Sequence, residues 1–427
     1  MQNNTLRTNT LVLSQQALCG ISLVCFLAQD AFRVVIATLL PFLPYKYVTF
    51  FLIVMMYAPL ILSFCLKKKG HYGYLGRFFI CFLLVGLIFF VTYCLHPEYK
   101  DWYFAGSYPI WERIFRPNQF LYAFLFVSAI EDPKDLLKYL KLAAYILLVY
   151  YSYRLLKAQI QGYWLTTTTS AGQVRSEYDL SYGYDHLFVF SVFCCYGFRE
   201  RKLHNFILSG ISLIEILMGG SRGPLLGVVL MLVIMYFLYR KSLSRWIQAL
   251  ILVTVVLVTL LYLVLGMEGF LILVGSMFKQ LGISSRTIDK MLSGSDALDG
   301  TGRDRLYGIA IDMIKEGFWG YGAYGDRYVI GKVFWVGYAH NIVLEMLIDF
   351  GWILGTAICV KILFDCVRMI FFCRDQAWRD AFIVFMIPCT KLLLSGSFWF
   401  SEAFFACIAI QLTYSKWEKQ KRKELMR

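Results

Sequence analysis

The chain has 427 residues, of which 59% are hydrophobic, 18% aromatic and only 16% charged. These proportions exclude a water-soluble domain of ordinary composition and predict a membrane protein. The formal net charge of +14 would suit an acidic ligand, but most Lys and Arg residues lie in short connections between apolar segments, so no nucleic-acid surface is predicted.

Apolar segments of about 17 to 25 residues recur along nearly the whole chain, and a helix of that length crosses a hydrocarbon core of about 30 Å. The strands of a membrane barrel would instead show short alternating segments. We therefore predict an all-α polytopic membrane protein with about twelve transmembrane helices. In chain order, these helices are expected at 16–36, 47–66, 78–96, 117–130, 140–156, 181–198, 203–220, 224–239, 246–265, 340–363, 381–397 and 399–414.

Alternate connections between the predicted helices are rich in Lys and Arg. These basic segments are 67–69, 134–141, 199–202, 240–245, 368–379 and the tail from 416 to 427. The positive-inside rule places them, and both termini, in the cytoplasm. The opposite face then carries one long loop, which we expect to form a small extracytoplasmic subdomain. The predicted organisation is helices 1–9 within 1–265, the loop at 266–338, helices 10–12 within 339–415 and the basic tail.

A Gly-rich turn, Gly219-Gly220-Ser221-Arg222-Gly223-Pro224, separates the seventh and eighth predicted helices on the face opposite the basic connections. Arg222 therefore breaks the charge pattern. An ionisable side chain at the membrane boundary is costly and indicates function, and the glycines would let a ligand approach the backbone. The alternative is an interfacial arginine that extends to lipid phosphate.

The long loop contains Gly300-Thr301-Gly302-Arg303-Asp304-Arg305-Leu306-Tyr307, in which a Gly-rich turn leads into a helical pattern. Free amides at a helix start and guanidinium groups both bind phosphate oxygens. Arg303 and Arg305 are therefore candidate phosphate ligands. The alternative is an ordinary exposed pair in which Asp304 neutralises one of the two arginines.

The tenth predicted helix opens with Tyr338-Ala339-His340-Asn341-Ile342-Val343-Leu344-Glu345. Helical spacing places Asn341, Glu345 and Asp349 on one stripe, with His340 at the mouth. Polar groups at this depth must face protein or water, so they indicate an internal cavity. His340 is the candidate general base, since imidazole accepts protons near neutral pH. The alternative is a helix cap formed by His340 and Asn341.

The sequence predicts no metal site and no other cofactor. The 12 cysteines lie almost entirely within apolar segments, where thiols pack as small hydrophobic side chains. No His or Asp cluster has metal-ligand spacing. Two isolated carboxylates in the predicted helices, Glu215 and Glu402, are either structural or cavity-lining groups.

Taken together and in this order, the three motifs resemble the O-antigen ligase and polymerase superfamily of bacterial membrane proteins. The resemblance covers roughly residues 219–355. It rests on the Ser-Arg-Gly turn at Ser221, on Gly302-Arg303 followed by Tyr307, and on His340-Asn341 followed by Phe350-Gly351. It implies a fold like that of the membrane-embedded GT-C glycosyltransferases, in the bacterial inner membrane, with the active site on the outer face.

In that superfamily the substrate is a glycan joined through pyrophosphate to undecaprenol. The resemblance implies that Arg222 and Arg303, together with Arg305, bind the pyrophosphate, and that His340 activates the acceptor hydroxyl. The transfer would be metal-independent and would invert the anomeric carbon. Supporting roles are expected for Ser221, Tyr307, Asn341 and Glu345.

The Gly-Ser-Arg-Gly-Pro turn and the His-Asn-Ile-Val-Leu-Glu stretch look more like polymerases of O units and capsule than like ligases. The favoured hypothesis is therefore polymerisation of lipid-linked repeat units into O antigen or capsular polysaccharide. Its acceptor would be another lipid-linked repeat unit, with a chain-length regulator as a candidate partner. The alternatives are a ligase that transfers the glycan to lipid A-core, and a flippase of lipid-linked sugars. Many such transporters have repeated halves with sites near the midplane, whereas this chain shows no repeated halves and its candidate residues lie at the outer rim.

Overall fold

The computed structural model describes most of the chain, and most of what it describes is helical. The described residues are 15–65, 73–105, 109–168, 172–176, 179, 181–219, 221, 223–243, 245–280, 288–289, 292, 303–333 and 337–426. Arg222 in the Gly-rich turn, and Gly300 to Gly302 in the loop motif, lie outside them.

The structure contains the following helices in chain order. They are α1 Gln15–Leu27, α2 Gln29–Leu39, α3 Tyr45–Cys65, α4 Gly73–Leu95, α5 Lys100–Phe104, α6 Ala123–Ser128, α7 Pro133–Gln161, α8 Tyr182–Glu200, α9 Leu203–Met218, α10 Gly223–Tyr239, α11 Arg245–Gln280, α12 Arg303–Glu316, α13 Gly325–Val333, α14 Ile342–Val367, α15 Gln376–Met386, α16 Lys391–Leu394 and α17 Glu402–Leu425. One antiparallel hairpin, β1 Trp164–Thr168 with β2 Gly172–Ser176, falls in a segment that was expected to be loop.

Four helices in the described part of the chain are long and apolar enough to cross a membrane. They are α3, α4, α10 extended to Ser242, and α14 extended to Phe372. Helices α1 and α2 would make a fifth span, but they are bent by 76° where one straight helix was expected. The chain is thus a largely helical membrane protein, while the count of about twelve spans stays a prediction.

The centre of the bundle is formed by helices that are buried on every side. All six residues of α6 are buried, and α8 is buried over nearly its whole length. Helix α15 packs against α7, α8 and α17. By contrast, α3, α4, α10 and α14 expose large hydrophobic side chains on their outer faces. A helix that is apolar towards both the core and the outside suits a lipid surround.

The basic connections meet at one end of the bundle. Arg199 donates to Asp380 at 3.0 Å, and Tyr239 donates to the same carboxylate at 2.7 Å. Lys141 pairs with Glu200 at 3.3 Å. Lys141 and Glu200 belong to two of the basic segments, and Tyr239 and Asp380 directly adjoin two more, so four basic connections meet at this end. That this end faces the cytoplasm stays a prediction.

The segment between α12 and α13 sits on the other end of α4. Tyr103 donates to the carbonyl of Ala323 at 2.7 Å, and the amide of Ala323 donates to Thr92 at 3.0 Å. Tyr99 donates to the carbonyl of Tyr321 at 3.1 Å. The C-terminal half of the predicted long loop is therefore folded and fixed to the bundle.

Helix α14 is interrupted at Gly351, where φ is +75° and ψ is 179°. Such a break frees backbone groups, which must find partners inside the protein. Three backbone hydrogen bonds supply them, from Tyr321 to Ile348, from Gly322 to Asp349 and from Trp352 to Phe318, at 2.8, 2.9 and 3.0 Å. The turn before α13 thereby docks into the broken helix.

Gly351→Ala is expected to lower stability by about 3 kcal/mol, because the residue has positive φ and the space is closed. A Cβ atom there would lie 2.4 Å from the carbonyl carbon of Trp319. Thermal unfolding of the detergent-purified protein measures the effect. The control is Gly210→Ala in α9, where a Cβ atom meets nothing within 4 Å and stability should hold or rise. Equal melting temperatures for the two variants would contradict this account of the break.

Candidate active site

The loop before α14 holds His340 in a left-handed backbone conformation, with φ of +52°. Residues other than glycine seldom adopt this conformation unless their surroundings impose it. The imidazole packs beside Tyr338, with the ring centroids 4.0 Å apart. The side chain of Asn341 accepts hydrogen bonds from the amides of Val343 at 2.9 Å and Leu344 at 3.3 Å. Asn341 is therefore the helix cap, and the cap fixes the position of His340 relative to α14.

A buried ionic cluster, formed by Asp326, Arg327, Glu345 and Ser397, lies next to this loop. Arg327 is fully buried, and it donates to Asp326 at 2.8 Å, to Glu345 at 3.2 Å and to Ser397 at 2.7 Å. Burial alone would lower the pKa of the Arg327 guanidinium, but the Asp326 and Glu345 carboxylates outweigh burial and raise that pKa above its ordinary value. The arginine is therefore charged, and it ties α13, α14 and the segment before α17 together.

The ionic cluster also holds the loop that carries His340. Asp326 accepts a hydrogen bond from the amide of Ala339 at 3.2 Å. The guanidinium carbon of Arg327 lies 5.5 Å from the ring centroid of Tyr338, which itself packs on His340. The cluster thus contacts the two residues that precede His340, so its effect on chemistry would be through the position of the imidazole.

The polar stripe expected on α14 faces protein. Glu345 and Asp349 are both buried, and the Ser397 to Phe400 segment supplies their partners. The amide of Phe398 donates to Glu345 at 3.2 Å, and the indole of Trp399 donates to Asp349 at 2.8 Å. The stripe therefore anchors a segment that forms the wall of a cavity.

This cavity has a volume of about 530 Å³, within the range of about 300–1,000 Å³ typical of small-molecule sites. Tyr338 and Ser397 contribute to its wall, which places it beside both His340 and the ionic cluster. The charged side chains that line it are Asp30, Asp185, Lys391 and Glu402. Glu402, an isolated carboxylate in the sequence, is thus a cavity-lining group.

The Gly-rich turn adjoins the same cavity through Tyr184. A Cβ atom on Gly223 would lie 1.7 Å from the phenol oxygen of Tyr184, so that phenol packs directly on the backbone of the turn. Tyr184 also lines the cavity. Ser221 is buried, and Arg222 lies outside the described residues. The structure therefore brings the backbone next to Arg222 and the loop of His340 to one cavity.

Glu215 belongs to a separate buried network beneath the turn. It pairs with His186 and accepts hydrogen bonds from Ser152 at 2.6 Å and Tyr182 at 3.4 Å. Tyr182 packs against Gly219, where an added Cβ atom would lie 2.8 Å from its ring. None of these side chains lines the cavity, so the network supports the turn structurally.

The loop motif begins helix α12. Arg303 is its first residue, and the placement of its side chain lies outside the description. Arg305 is exposed and forms no ion pair with Asp304, Tyr307 is half-buried, and neither Arg305 nor Tyr307 lines the cavity. The helix packs through Leu306 and its apolar neighbours against α13 and α14. Helix α12 therefore lies next to α13 and α14, but Arg305 and Tyr307 do not contribute to the cavity wall.

Sequence reasoning missed Arg327 and Lys391. The dipeptide Asp326-Arg327 follows a Gly-rich stretch and resembles an ordinary surface pair, so its burial depends on contacts from distant residues. Lys391 offered a signal, because it lies in the middle of the apolar segment 381–397. An ammonium group in such a segment is costly unless it faces protein or a cavity.

Comparison with known protein families gives a match in this region. Residues 207–359 match the family described as O-antigen ligase. The matched segment runs from α9 into α14 and contains Ser221, Arg303 and His340. Neither the curated proteins nor the solved structures contain a match to the chain.

Proposed function

Because residues 207–359 assign this chain to the O-antigen ligase and polymerase superfamily, we propose that it polymerises undecaprenyl-pyrophosphate-linked repeat units at the outer face of the bacterial inner membrane. The product would be O antigen or capsular polysaccharide. One observation carries the proposal. The turn at Ser221 and the loop of His340 are far apart in sequence, yet Tyr184, which packs on Gly223 of the turn, and Tyr338, which packs on His340, line one cavity.

In the proposed reaction, His340 takes the proton from the acceptor hydroxyl, whose oxygen attacks the anomeric carbon of the donor glycan. The bond from that carbon to the pyrophosphate oxygen breaks, and the configuration inverts. Undecaprenyl pyrophosphate leaves with the electron pair. Arg222 and Arg303, with Arg305 nearby, would stabilise the charge that develops on it. Guanidinium groups can stabilise this charge by themselves, so the proposed transfer uses no metal ion.

Supporting roles follow from contacts. Asn341 caps α14 beside His340, and Glu345 belongs to the ionic cluster that holds the loop. Ser221 is buried at the turn that carries Arg222. Tyr307 lies on α12 with Arg303 and Arg305.

A ligase that transfers the finished glycan to lipid A-core is the second candidate function. The description of the matched family, O-antigen ligase, favours it. The two reactions share the donor and the leaving group and differ only in the acceptor. An experiment that reads out the products therefore separates them.

Deletion of the gene, followed by complementation with wild type, Arg222→Ala, Arg303→Ala or His340→Ala, tests both functions. Surface and lipid-linked glycans are resolved by size on a gel. We expect the three variants to be expressed at wild-type level and to leave single repeat units on the acceptor without long chains. Lys315→Ala, an exposed change on α12, is the control and should restore long chains.

Two other glycan patterns on the gel would contradict the polymerase proposal. Complete long chains that accumulate on undecaprenyl pyrophosphate would identify a ligase. Normal glycan in all three variants would show that the proposed site is wrong.

A further inference from the structure

Helix α17 continues past its apolar segment, which ends near residue 414, as far as Leu425. This extension lies at the end of the bundle where the basic connections meet, since Glu418 pairs with Arg368 at 3.5 Å. Glu418 also pairs with Arg422, at 3.1 Å. The charged groups on this side of the extension therefore have partners within the protein.

A second side of the extension carries lysines without such partners. Lys416, Lys419 and Lys423 recur at the three- and four-residue spacing that places side chains on one helix face. They line a cavity of about 400 Å³, together with Leu412, Ser415 and Gln420. None of the three lysines forms a hydrogen bond or an ion pair with a residue that the structure describes. Among the described residues, the cavity wall thus carries three positive charges and no negative one.

A fourth cation approaches from α4. The guanidinium of Arg77 donates to Thr413 of α17 at 3.4 Å, and its buried Nε atom has no hydrogen-bond partner in the described chain. A guanidinium nitrogen of Arg77 and the ammonium of Lys416 both lie within 4 Å of the position that a Cβ atom on Gly73 would take. Glu131 attracts Arg77 but forms no ion pair with it among the described residues. Two cations at such short range repel, so an anion that contacts both is favoured.

The surface next to these cations is apolar. Leu412, in the cavity wall, is 46% exposed. Beyond Arg77, α4 exposes Phe79 and Ile80, as a helix in contact with lipid does. Lysines at one end and apolar side chains at the other match an amphiphile with an anionic head.

We propose that this cavity binds the phosphate headgroup of an anionic phospholipid, in the leaflet at the basic end of the bundle. The site is separate from the cavity beside His340, and the inference goes beyond the proposed glycan transfer. Lys416, Lys419 and Lys423 contact the phosphate, and the acyl chains lie along Leu412 and the exposed face of α4. A zwitterionic lipid carries the same phosphate, but its head also brings a cation towards the lysines, so net charge sets the selectivity.

The test measures lipid binding to the full-length protein in an uncharged detergent. Fluorescent phosphatidylglycerol, which is anionic, is titrated into the protein, and fluorescent phosphatidylcholine with the same acyl chains is the neutral comparison. Wild type should bind phosphatidylglycerol roughly tenfold more tightly or better. Inorganic phosphate, added at constant ionic strength, should displace little of the bound lipid, because it lacks the acyl chains.

A double variant assigns the binding to the cavity. Lys419→Gln with Lys423→Gln changes two exposed side chains, so the fold should persist. Binding of phosphatidylglycerol should weaken by roughly 10- to 30-fold, the effect of two lysines at a lipid surface. Lys419→Arg with Lys423→Arg keeps both charges and should bind like wild type.

The matched control is Lys421→Gln with Arg422→Gln, which removes two charges from the same helix outside the cavity wall. Its affinity for phosphatidylglycerol should stay within about threefold of wild type. An equal loss in the control and in the cavity variant would overturn the proposal, because the net charge of the tail would then explain the binding. Equal affinity of wild type for the two lipids would overturn it as well. Ready displacement by inorganic phosphate would identify a soluble anion as the ligand in place of a lipid.

Discussion

Arg327→Met is expected to destabilise the protein by about 3–5 kcal/mol, because it removes the one cation from a buried cluster of carboxylates. Asp326 and Glu345 are both fully buried. Without Arg327, each carboxylate would either stay charged with no cation beside it or take up a proton, and both outcomes cost free energy of folding. Arg327 also donates to Ser397, so the segment before α17 would lose its anchor. Thermal unfolding of the purified protein, together with its yield in the membrane, measures the loss.

Lys315→Met is the matched control, because it breaks an exposed ion pair with Asp312 at 3.2 Å. Exposed pairs contribute little, so its melting temperature should stay close to that of wild type. A similar fall in melting temperature in both variants would show that the buried cluster contributes no more to stability than the exposed ion pair.

Arg327→Lys tests whether the ionic cluster positions His340 in addition to stabilising the fold. Lysine keeps the charge, but a single ammonium cannot reproduce the planar fork that reaches Asp326, Glu345 and Ser397 together. The loop of His340 should then shift while the cavity persists. We expect kcat to fall by roughly 10- to 100-fold with little change in KM, since small displacements of a reacting group are costly. An unchanged kcat in a folded Arg327→Lys protein would show that the cluster is structural only.

Hydropathy predicted the helices that face lipid. Helices α3, α4, α10 and α14 are long and uniformly apolar, and each lies where a span was expected. The prediction of one continuous helix was wrong at two places where the helix is broken. The first predicted span is two helices that meet at Ala28, and the span expected at 381–397 ends as a regular helix at Met386, before Pro388. Burial in protein permits such breaks, because neighbouring segments satisfy the backbone.

The ninth predicted span ends close to a break in α11. Its helix was expected to stop at residue 265, and α11 is interrupted at Gly266 before a second helical segment runs on to Gln280. Gly266 does have the positive φ that often ends a helix. The sequence shows the interruption, whereas the resumption of the helix beyond it depends on the residues that follow.

The site was partly readable from the sequence because its residues are grouped in short motifs. His340, Asn341 and Glu345 lie within one turn and a half of helix, so helical spacing alone relates them. Arg327 was not readable, since its partner Ser397 lies 70 residues away. The cavity could not be predicted either, because its wall combines residues of α1, α8 and α17, and no local sequence pattern indicates that these helices pack together.

His340→Asn is expected to lower the rate of glycan transfer by about 10²- to 10⁴-fold, the range for loss of a general base. Asparagine tolerates the left-handed backbone better than most residues, and φ at this position is +52°. The variant should therefore fold and bind the lipid-linked donor like wild type. Transfer between synthetic undecaprenyl-pyrophosphate glycans, followed by mass spectrometry of the products, measures the rate.

The control is His96→Asn, a change at the same end of the bundle, where the histidine pairs with Glu98 at 3.0 Å and lies outside the cavity wall. It should transfer glycan at the wild-type rate. His340→Ala adds a test of chemistry, because free imidazole in solution can replace a missing base and should restore part of the rate. If imidazole restores nothing and His340→Asn retains normal transfer, the proton is taken by another group, and the role of His340 is to shape the loop beside Tyr338.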